Sequence, residues 1–362
     1  MGSAQPSRLI GGRPARPAAP AVPPRPDRRA GTFPAVRILV TGGAGFIGSA
    51  YVRRLLRGAE PALDVDIDAV TVLDAFTYAG TEGSLDAVRT DPRLRVVHGD
   101  IRDAPLVDAV VGGHDVVVHF AAESHVDRSI TGAAAFVTTN VVGTQTLLDA
   151  ALRHGVRRMV QVSTDEVYGS VATGSWTERA PLDPSSPYSA AKAGADLLAL
   201  AYHRTHGLDV VVTRGANTYG PYQYPEKIVP LFVTNLLDGH DVPLYGDGGN
   251  VREWLHVDDH CHGVALAQTR GRAGGVYHLG GGAELTNREL TGRLLAACGA
   301  GWDRVRPVAD RKGHDRRYSL DSTTSHRELG WSPTVDLEQG LAATVDWYRR
   351  NRAWWEPLKP HR

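Results

Sequence analysis

The sequence predicts an α/β protein built on a doubly wound parallel sheet, with a smaller and mostly helical lobe, and three observations carry that prediction. Short Val/Ile/Leu-rich runs alternate with amphipathic stretches through the first two hundred residues, a glycine cluster joins the first run to the first helical stretch, and acidic residues close the runs that follow. Alternating strand and helix signals are the pattern of a parallel sheet covered on both faces. Ligands of such sheets bind beyond the carboxyl ends of the strands.

Residues 1–34, with RPARPAAPAVPPRPDRR at their centre, are rich in Pro, Ala and Arg. They lack helical periodicity and the apolar segment of a secretory signal, and read as a disordered tail. From Val36, VRILVTGGAGFIGSAYVRRLL is an apolar run, then glycines, then an i, i+3, i+4 pattern, which is strand, turn and helix. Gly42, Gly45 and Gly48 let the backbone approach a pyrophosphate at a helix N-terminus, whose unpaired N–H groups and dipole favour anions, so the segment predicts a Rossmann-type dinucleotide site.

The next strand, AVTVLD, ends in Asp74. A carboxylate there accepts hydrogen bonds from a ribose 2′-hydroxyl and repels a 2′-phosphate, which favours NAD over NADP. RLRVVHGD ends at Asp100 and DVVVHFAA near Ala122. Helical text then runs from about Ala133 to His154, and the strand RRMVQVS delivers VSTDEVYG. Asp165 and Glu166 are thereby set at the mouth of the dinucleotide crevice. Side chains alternate along an extended segment, so two adjacent acids can sit in different surroundings, one donating a proton and the other accepting one. In YSAAKAGADLLALAYHRTHG, Tyr188 and Lys192 are one helical turn apart and share a face. An ammonium and a cationic nicotinamide beside the phenol would pull its pKa of about 10 towards neutrality.

The composition narrows the partners. Forty basic residues balance forty acidic ones, so no global charge favours a nucleic acid or a membrane surface. No apolar run approaches the ~20 residues of a membrane-spanning helix. The two cysteines, Cys261 and Cys298, form neither a disulfide framework nor a zinc-ligand spacing, which fits a reducing cytoplasm and no metal.

Through TGGAGFIG, the Ser/Thr pair at 163–164 and Tyr188-x-x-x-Lys192, the chain resembles the extended short-chain dehydrogenase/reductase family. HFAAESHVDRS (119–129), STDEVYG (163–169), SPYSAAKAGAD (186–196), YGPYQYPEKIVPL (219–231), YGDGGNVREWLHVDDH (245–260) and GHDRRYSLD (313–321) resemble its nucleotide-sugar 4,6-dehydratase branch. The resemblance implies NAD as cofactor, dTDP-glucose as substrate, a homodimer joined through helices near 133–154 and 188–206, and a product used in deoxysugar biosynthesis. It implies three steps: oxidation of the sugar at C4 by Tyr188 with Lys192 and Thr164, elimination of water across C5 and C6 with Glu166 as base and Asp165 as acid, and return of hydride to C6.

By the same resemblance, cofactor contacts fall on Phe46, Ile47, Asp74, Ala75, Thr77, Asp100, Ile101, Phe120, Ala121, Ala122, Ser124, Thr139, Tyr188, Lys192 and Thr218. Sugar-nucleotide contacts fall on Ser124, Thr164, Asn217, Lys227, Ile228, Pro243, Leu244, Tyr245, Arg252, Asn287, His314, Arg317 and Tyr318. Arg252 and Arg317 suit a diphosphate clamp, because a guanidinium offers forked donors to phosphate oxygens. Asn217-Thr218 departs from the more usual Asn-Asn of the family, which bears on NAD affinity and not on reaction type. The expected organisation is an NAD-binding domain over 36–216, to which 241–278 returns, and a substrate-binding lobe over 217–240 and 279–358. An epimerase on the same scaffold would have no work for Asp165 and Glu166, and a silent NAD-binding scaffold would need none of the five polar residues.

Overall fold

The computed structural model describes residues 36–60 and 66–359; the expected tail lies outside them. The strands described run in chain order as β1 Val36–Thr41, β2 Ile67–Asp74, β3 Leu94–His98, β4 Val116–His119, β5 Arg158–Thr164 and β6 Val210–Gly215, then β7 Asn217–Tyr219, β8 Val242–Tyr245, β9 Val251–His256, β10 Val276–Leu279, β11 Ala283–Thr286 and β12 Val305–Val308. Seven form one parallel sheet in the order β10-β6-β5-β4-β1-β2-β3. The order reverses between β1 and β4, so the crevice opens beyond the ends of those two strands.

The central strands are buried on both faces, which is why VRILVT and VVVH are nearly continuous apolar runs. On one face Tyr51, Val52 and Leu55 of the helix Phe46–Leu56 share a core with Val264 and Leu266 of the helix Val257–Arg270. In the other core Val107, Val111, Leu147, Leu148 and Ala199 come from the helices Ala104–Val111, Thr144–Arg153 and Pro187–His206. This is the predicted doubly wound architecture.

The smaller lobe has its own core, with Val229, Phe232, Leu290, Leu294, Leu341 and Tyr348 packed from the helices Ile228–Leu237, Asn287–Cys298 and Leu337–Arg350. Strand pairing shifts the expected return to the large sheet. β8 pairs with β12, and β9 lies between β11 and β7, so 242–256 hydrogen-bonds with strands outside the seven-stranded sheet. Only from Val257 does the chain pack back on that sheet, ending in β10 at its edge.

Two local features position the site. The long helical stretch after β4 carries a π-helical segment, Val137–Gly143, and inside it the buried Asn140 accepts from the Glu123 N–H (2.8 Å) and donates to the Glu123 carbonyl (2.9 Å). An extra residue in a turn re-aims side chains, and here it clamps the loop that follows β4. The helix Pro187–His206 starts at a capping box between Ser186 and Ser189, with Pro187 in its first turn, and stops at Gly207 with φ +71°. These features account for the register that sets Tyr188 and Lys192 facing β5.

Candidate active site

At the carboxyl ends of the strands a cavity of about 480 Å³ runs from the glycine turn across to the smaller lobe. Its dinucleotide end is built by close approach. Gly42 has φ +70°, and a Cβ there would lie 2.5 Å from the Ala121 nitrogen; one on Gly48 would lie 2.2 Å from the Gly42 carbonyl oxygen. Neither position accepts a side chain, because both neighbours are backbone. Asp74 Oδ2 accepts from the Ala44 N–H (2.9 Å) and Oδ1 from the Phe76 N–H (2.8 Å), leaving a lone pair on each oxygen for ribose hydroxyls. Burial pushes its pKa up while those amides hold it down. Asp100 is paired with Arg102 Nη2 (2.6 Å), which holds it below the usual carboxylate range. With Gly45, Phe46, Ile47, Ala75, Thr77, Ile101, Phe120, Ala121, Ala122, Ser124, Thr139 and Thr218 they line one wall. This glycine cradle fits a dinucleotide.

The chemical centre lies where β5 ends. Thr164 caps the turn Asp165–Tyr168: its hydroxyl accepts from the Glu166 N–H (3.3 Å) and donates to Asp165 Oδ1 (3.1 Å). Asp165 is 3% exposed and its Oδ2 has no partner. Burial first, and the Glu166 carboxylate second, push its pKa well up, so it is held protonated. Burial also raises Glu166, but Lys227, Arg311 and Arg252 oppose that rise, which favours its ionised form over that of Asp165. Two adjacent acids are thus driven apart by environment.

Tyr188 and Lys192 complete the centre. The Lys192 ammonium donates to the Val162 carbonyl (2.6 Å), and burial brings its pKa down to about 8. The phenol differs from expectation: burial and the Glu166 and Asp165 carboxylates push Tyr188 well above its ordinary value, against a hydrogen bond from Thr164. Lowering it is therefore work for a cationic nicotinamide rather than for the chain's own groups.

On the lobe side, Lys227 donates to the Ser124 carbonyl (2.7 Å), bridging the two halves of the cavity. Asn217, Ile228, Pro243, Leu244, Tyr245, Asn287, His314 and Tyr318 line the same wall. Arg252 is held by the Val251 carbonyl (2.7 Å) and the Asp315 carbonyl (2.9 Å), with its guanidinium 4.2 Å above the Tyr318 ring. Arg317 does not belong here. It is absent from the cavity wall, committed through Nε and Nη2 to Glu284 (2.8 and 2.7 Å) and through Nη1 to the Gly174 carbonyl.

The cavity holds a cation that sequence reasoning missed. Arg311 lines it, 3.8 Å from Asp127, and its buried Nε has no hydrogen-bond partner. It stands two residues before the block GHDRRYSLD, in a polar loop that resembles any exposed turn.

A glycine cradle, two adjacent acids of which Asp165 is pushed harder towards its protonated form, and a phenol with a lysine one turn away define a dinucleotide-dependent enzyme of the extended short-chain dehydrogenase/reductase type. A family model described as GDP-mannose 4,6 dehydratase matches residues 39–344, and the chain belongs to that family. It is 66% identical over 328 residues to a dTDP-glucose 4,6-dehydratase of Streptomyces antibioticus, covering 90% of this chain and 96% of that protein. The crystal structure of DesIV, a dTDP-glucose 4,6-dehydratase from Streptomyces venezuelae with NAD and TYD bound, superposes with a TM-score of 0.88 at 66% identity, over 89% of this chain and 100% of that one. UDP-glucose 4-epimerase of Thermotoga maritima shares the fold at 32% identity and a TM-score of 0.80, over 87% and 99% of the two chains.

Proposed function

We propose that the chain converts dTDP-glucose to dTDP-4-keto-6-deoxyglucose, as an NAD-dependent 4,6-dehydratase acting as a hydro-lyase. The observation that carries this is the Asp165–Glu166 pair in the same cavity as Tyr188 and Lys192. An epimerase needs a phenol and a cofactor but no second acid–base pair.

Bound NAD supplies a reversible hydride acceptor at the sugar C4, held by the Gly42–Gly48 cradle and Asp74. Tyr188 takes the proton of the 4-hydroxyl, with the Lys192 charge beside it and the Thr164 hydroxyl within its hydrogen-bonding reach. The resulting 4-ketone acidifies C5–H. Glu166, whose ionised form Lys227, Arg311 and Arg252 favour against burial, takes that proton, and Asp165 gives its own to the departing 6-hydroxyl. Proton return from Glu166 to C5, with the hydride taken from C4 given back at C6, completes the cycle and would leave NAD oxidised as it began. Lys227, Arg252 and Arg311 suit the diphosphate, and Pro243, Leu244, Tyr245 and Asn287 the nucleoside.

The chain would work as a homodimer in the cytoplasm. Val137, Val142 and Leu197, 46–55% exposed, sit on the neighbouring helical segments 133–153 and 187–206, with Leu152 beside them. Both cysteines are free thiols, and among the described residues no helix is long and apolar enough to cross a membrane. Mass spectrometry of dTDP-glucose incubated with the NAD-loaded protein tests the reaction. Loss of one water is expected, and an unchanged mass with a sugar isomer would replace the dehydratase by an epimerase.

A further inference from the structure

A buried polar chain behind the active site takes no direct part in the chemistry above. Asp196 is fully buried on the Pro187–His206 helix, one turn beyond Lys192 and two beyond Tyr188. Its Oδ2 accepts from Arg214 Nε of β6 at 3.0 Å, both side chains being out of solvent, while Oδ1 has no hydrogen-bond partner. Arg214 also donates to the Tyr168 phenol oxygen. Tyr168 in turn donates to His278 Nε2 (2.6 Å) of β10, and His278 Nδ1–H donates to the Asp321 carbonyl (3.0 Å). Tyr168 is the last residue of the turn that begins with Asp165 and Glu166.

We propose that Asp196 is a positioning residue for the reaction, which holds the Lys192 ammonium in place and in its cationic form and, through Arg214 and Tyr168, fixes the Tyr188 helix against the turn bearing Asp165 and Glu166. The inference rests on the dehydratase reading for its catalytic consequence. Positions i and i+4 face each other on a helix, and a buried carboxylate that only had to neutralise Arg214 would not need to stand on the Lys192 face. Oδ1 keeps an acceptor lone pair free, and the Lys192 charge and the Ser163 hydroxyl both act on this carboxyl. Lys192 has three donors and one acceptor within hydrogen-bonding distance, the Val162 carbonyl.

Burial raises Asp196, while Arg214 first and Lys192 next oppose that rise, and the groups around the pair leave Asp196 as the carboxyl set against Lys192. From β4, His119 is neutral, pushed down to about 3 by burial and by Lys192 itself. From the turn after β5 come Asp165, Glu166 and Tyr168, the acids directed at Tyr188. β6 supplies Arg214, and β10 supplies His278, also neutral at about 3, with Glu178 4.0 Å from it. The helical segments on the opposite side present Val126, Phe136 and Val141. Burial lowers Lys192 to about 8, and Asp196 is the group that raises it against burial.

The chain has four lysines, at 192, 227, 312 and 359, so holoenzyme labelled with carbon-13 at lysine Cε resolves Lys192 directly, with Lys192→Arg as the assignment control. We expect Asp196→Asn to move the Lys192 titration down by at least about one pH unit, the size expected for losing a neighbouring opposite charge. The alkaline limb of kcat/KM for dTDP-glucose should move with it, and Asp196→Glu should restore both. If Asp196→Asn fails to fold with Arg214 unpaired, the double variant Asp196→Asn/Arg214→Gln removes both charges and is expected to shift Lys192 in the same direction. An unmoved Lys192 titration in a folded variant would overturn the proposal and leave Asp196 as a structural partner of Arg214. The lysine titration needs no substrate, so a titration shift in a protein whose wild type spares dTDP-glucose would overturn the dehydratase reading and support the pairing.

Discussion

Replacing Asp165 by Asn separates the catalytic value of this carboxyl from its folding cost. The side chain is 3% exposed and held protonated, and Asn keeps its shape, its neutrality and an oxygen to accept from the Thr164 hydroxyl. A carboxyl whose folded pKa is raised contributes stability that is fully present below the unfolded value of about 3.9 and is lost as pH rises through the folded value, at about 1.4 kcal/mol for every pH unit separating the two. At neutral pH the wild type bears that loss and the variant does not. We therefore expect Asp165→Asn to be more stable than wild type at neutral pH, with the difference vanishing as pH falls towards about 4. An amide cannot protonate the leaving hydroxyl, so turnover should drop by about 10²–10⁴-fold. Urea unfolding across pH at fixed NAD, alongside water loss followed by mass spectrometry, reads both quantities. A variant less stable than wild type at neutral pH, or one that eliminates water at the wild-type rate, would refute the reasoning.

Gly48→Ala should abolish NAD retention after gel filtration, since the new methyl would meet the Gly42 carbonyl 2.2 Å away; Gly58→Ala, with nothing within 4 Å though at φ +63°, is the folding control and should retain it. Arg311→Met should raise the KM for dTDP-glucose at least about tenfold, the loss of a charge-assisted contact. Arg317→Met should leave KM within a few-fold and lower the thermal midpoint instead, because its partners are Glu284 and Gly174. Leu197→Asp should shift the light-scattering mass to the monomer, placing a charge on a side chain that is 55% exposed.

The large sheet was legible because its central strands are buried on both faces and so spell nearly continuous apolar runs, and because Gly42 and Gly48 occupy positions where backbone meets backbone. The Thr164–Glu166 turn and the Tyr188–Lys192 spacing were legible for the same kind of reason: residue type and local periodicity are enough to put them on one crevice. The lobe was harder. The partners of β8 and β9, namely β12, β11 and β7, are set by long-range pairing, which local patterning does not encode. Arg311 drew no expectation and Arg317 was expected at the diphosphate, since each is an arginine in a polar loop and the choice between the cavity wall and Glu284 is made by tertiary packing. The raised Tyr188 pKa was hidden too, because the two carboxylates that help to raise it are neighbours in space, not in sequence.

The central claim is that Glu166 and Asp165 carry out an elimination that Tyr188 has made possible. Incubating dTDP-glucose in heavy water with wild type and with Glu166→Gln, and reading the sugar by mass spectrometry, tests it most directly. The account predicts loss of one water with one solvent deuterium at C5 for the wild type, and neither in the Glu166→Gln variant. A variant that still loses water and takes up deuterium at C5 at the wild-type rate would contradict it.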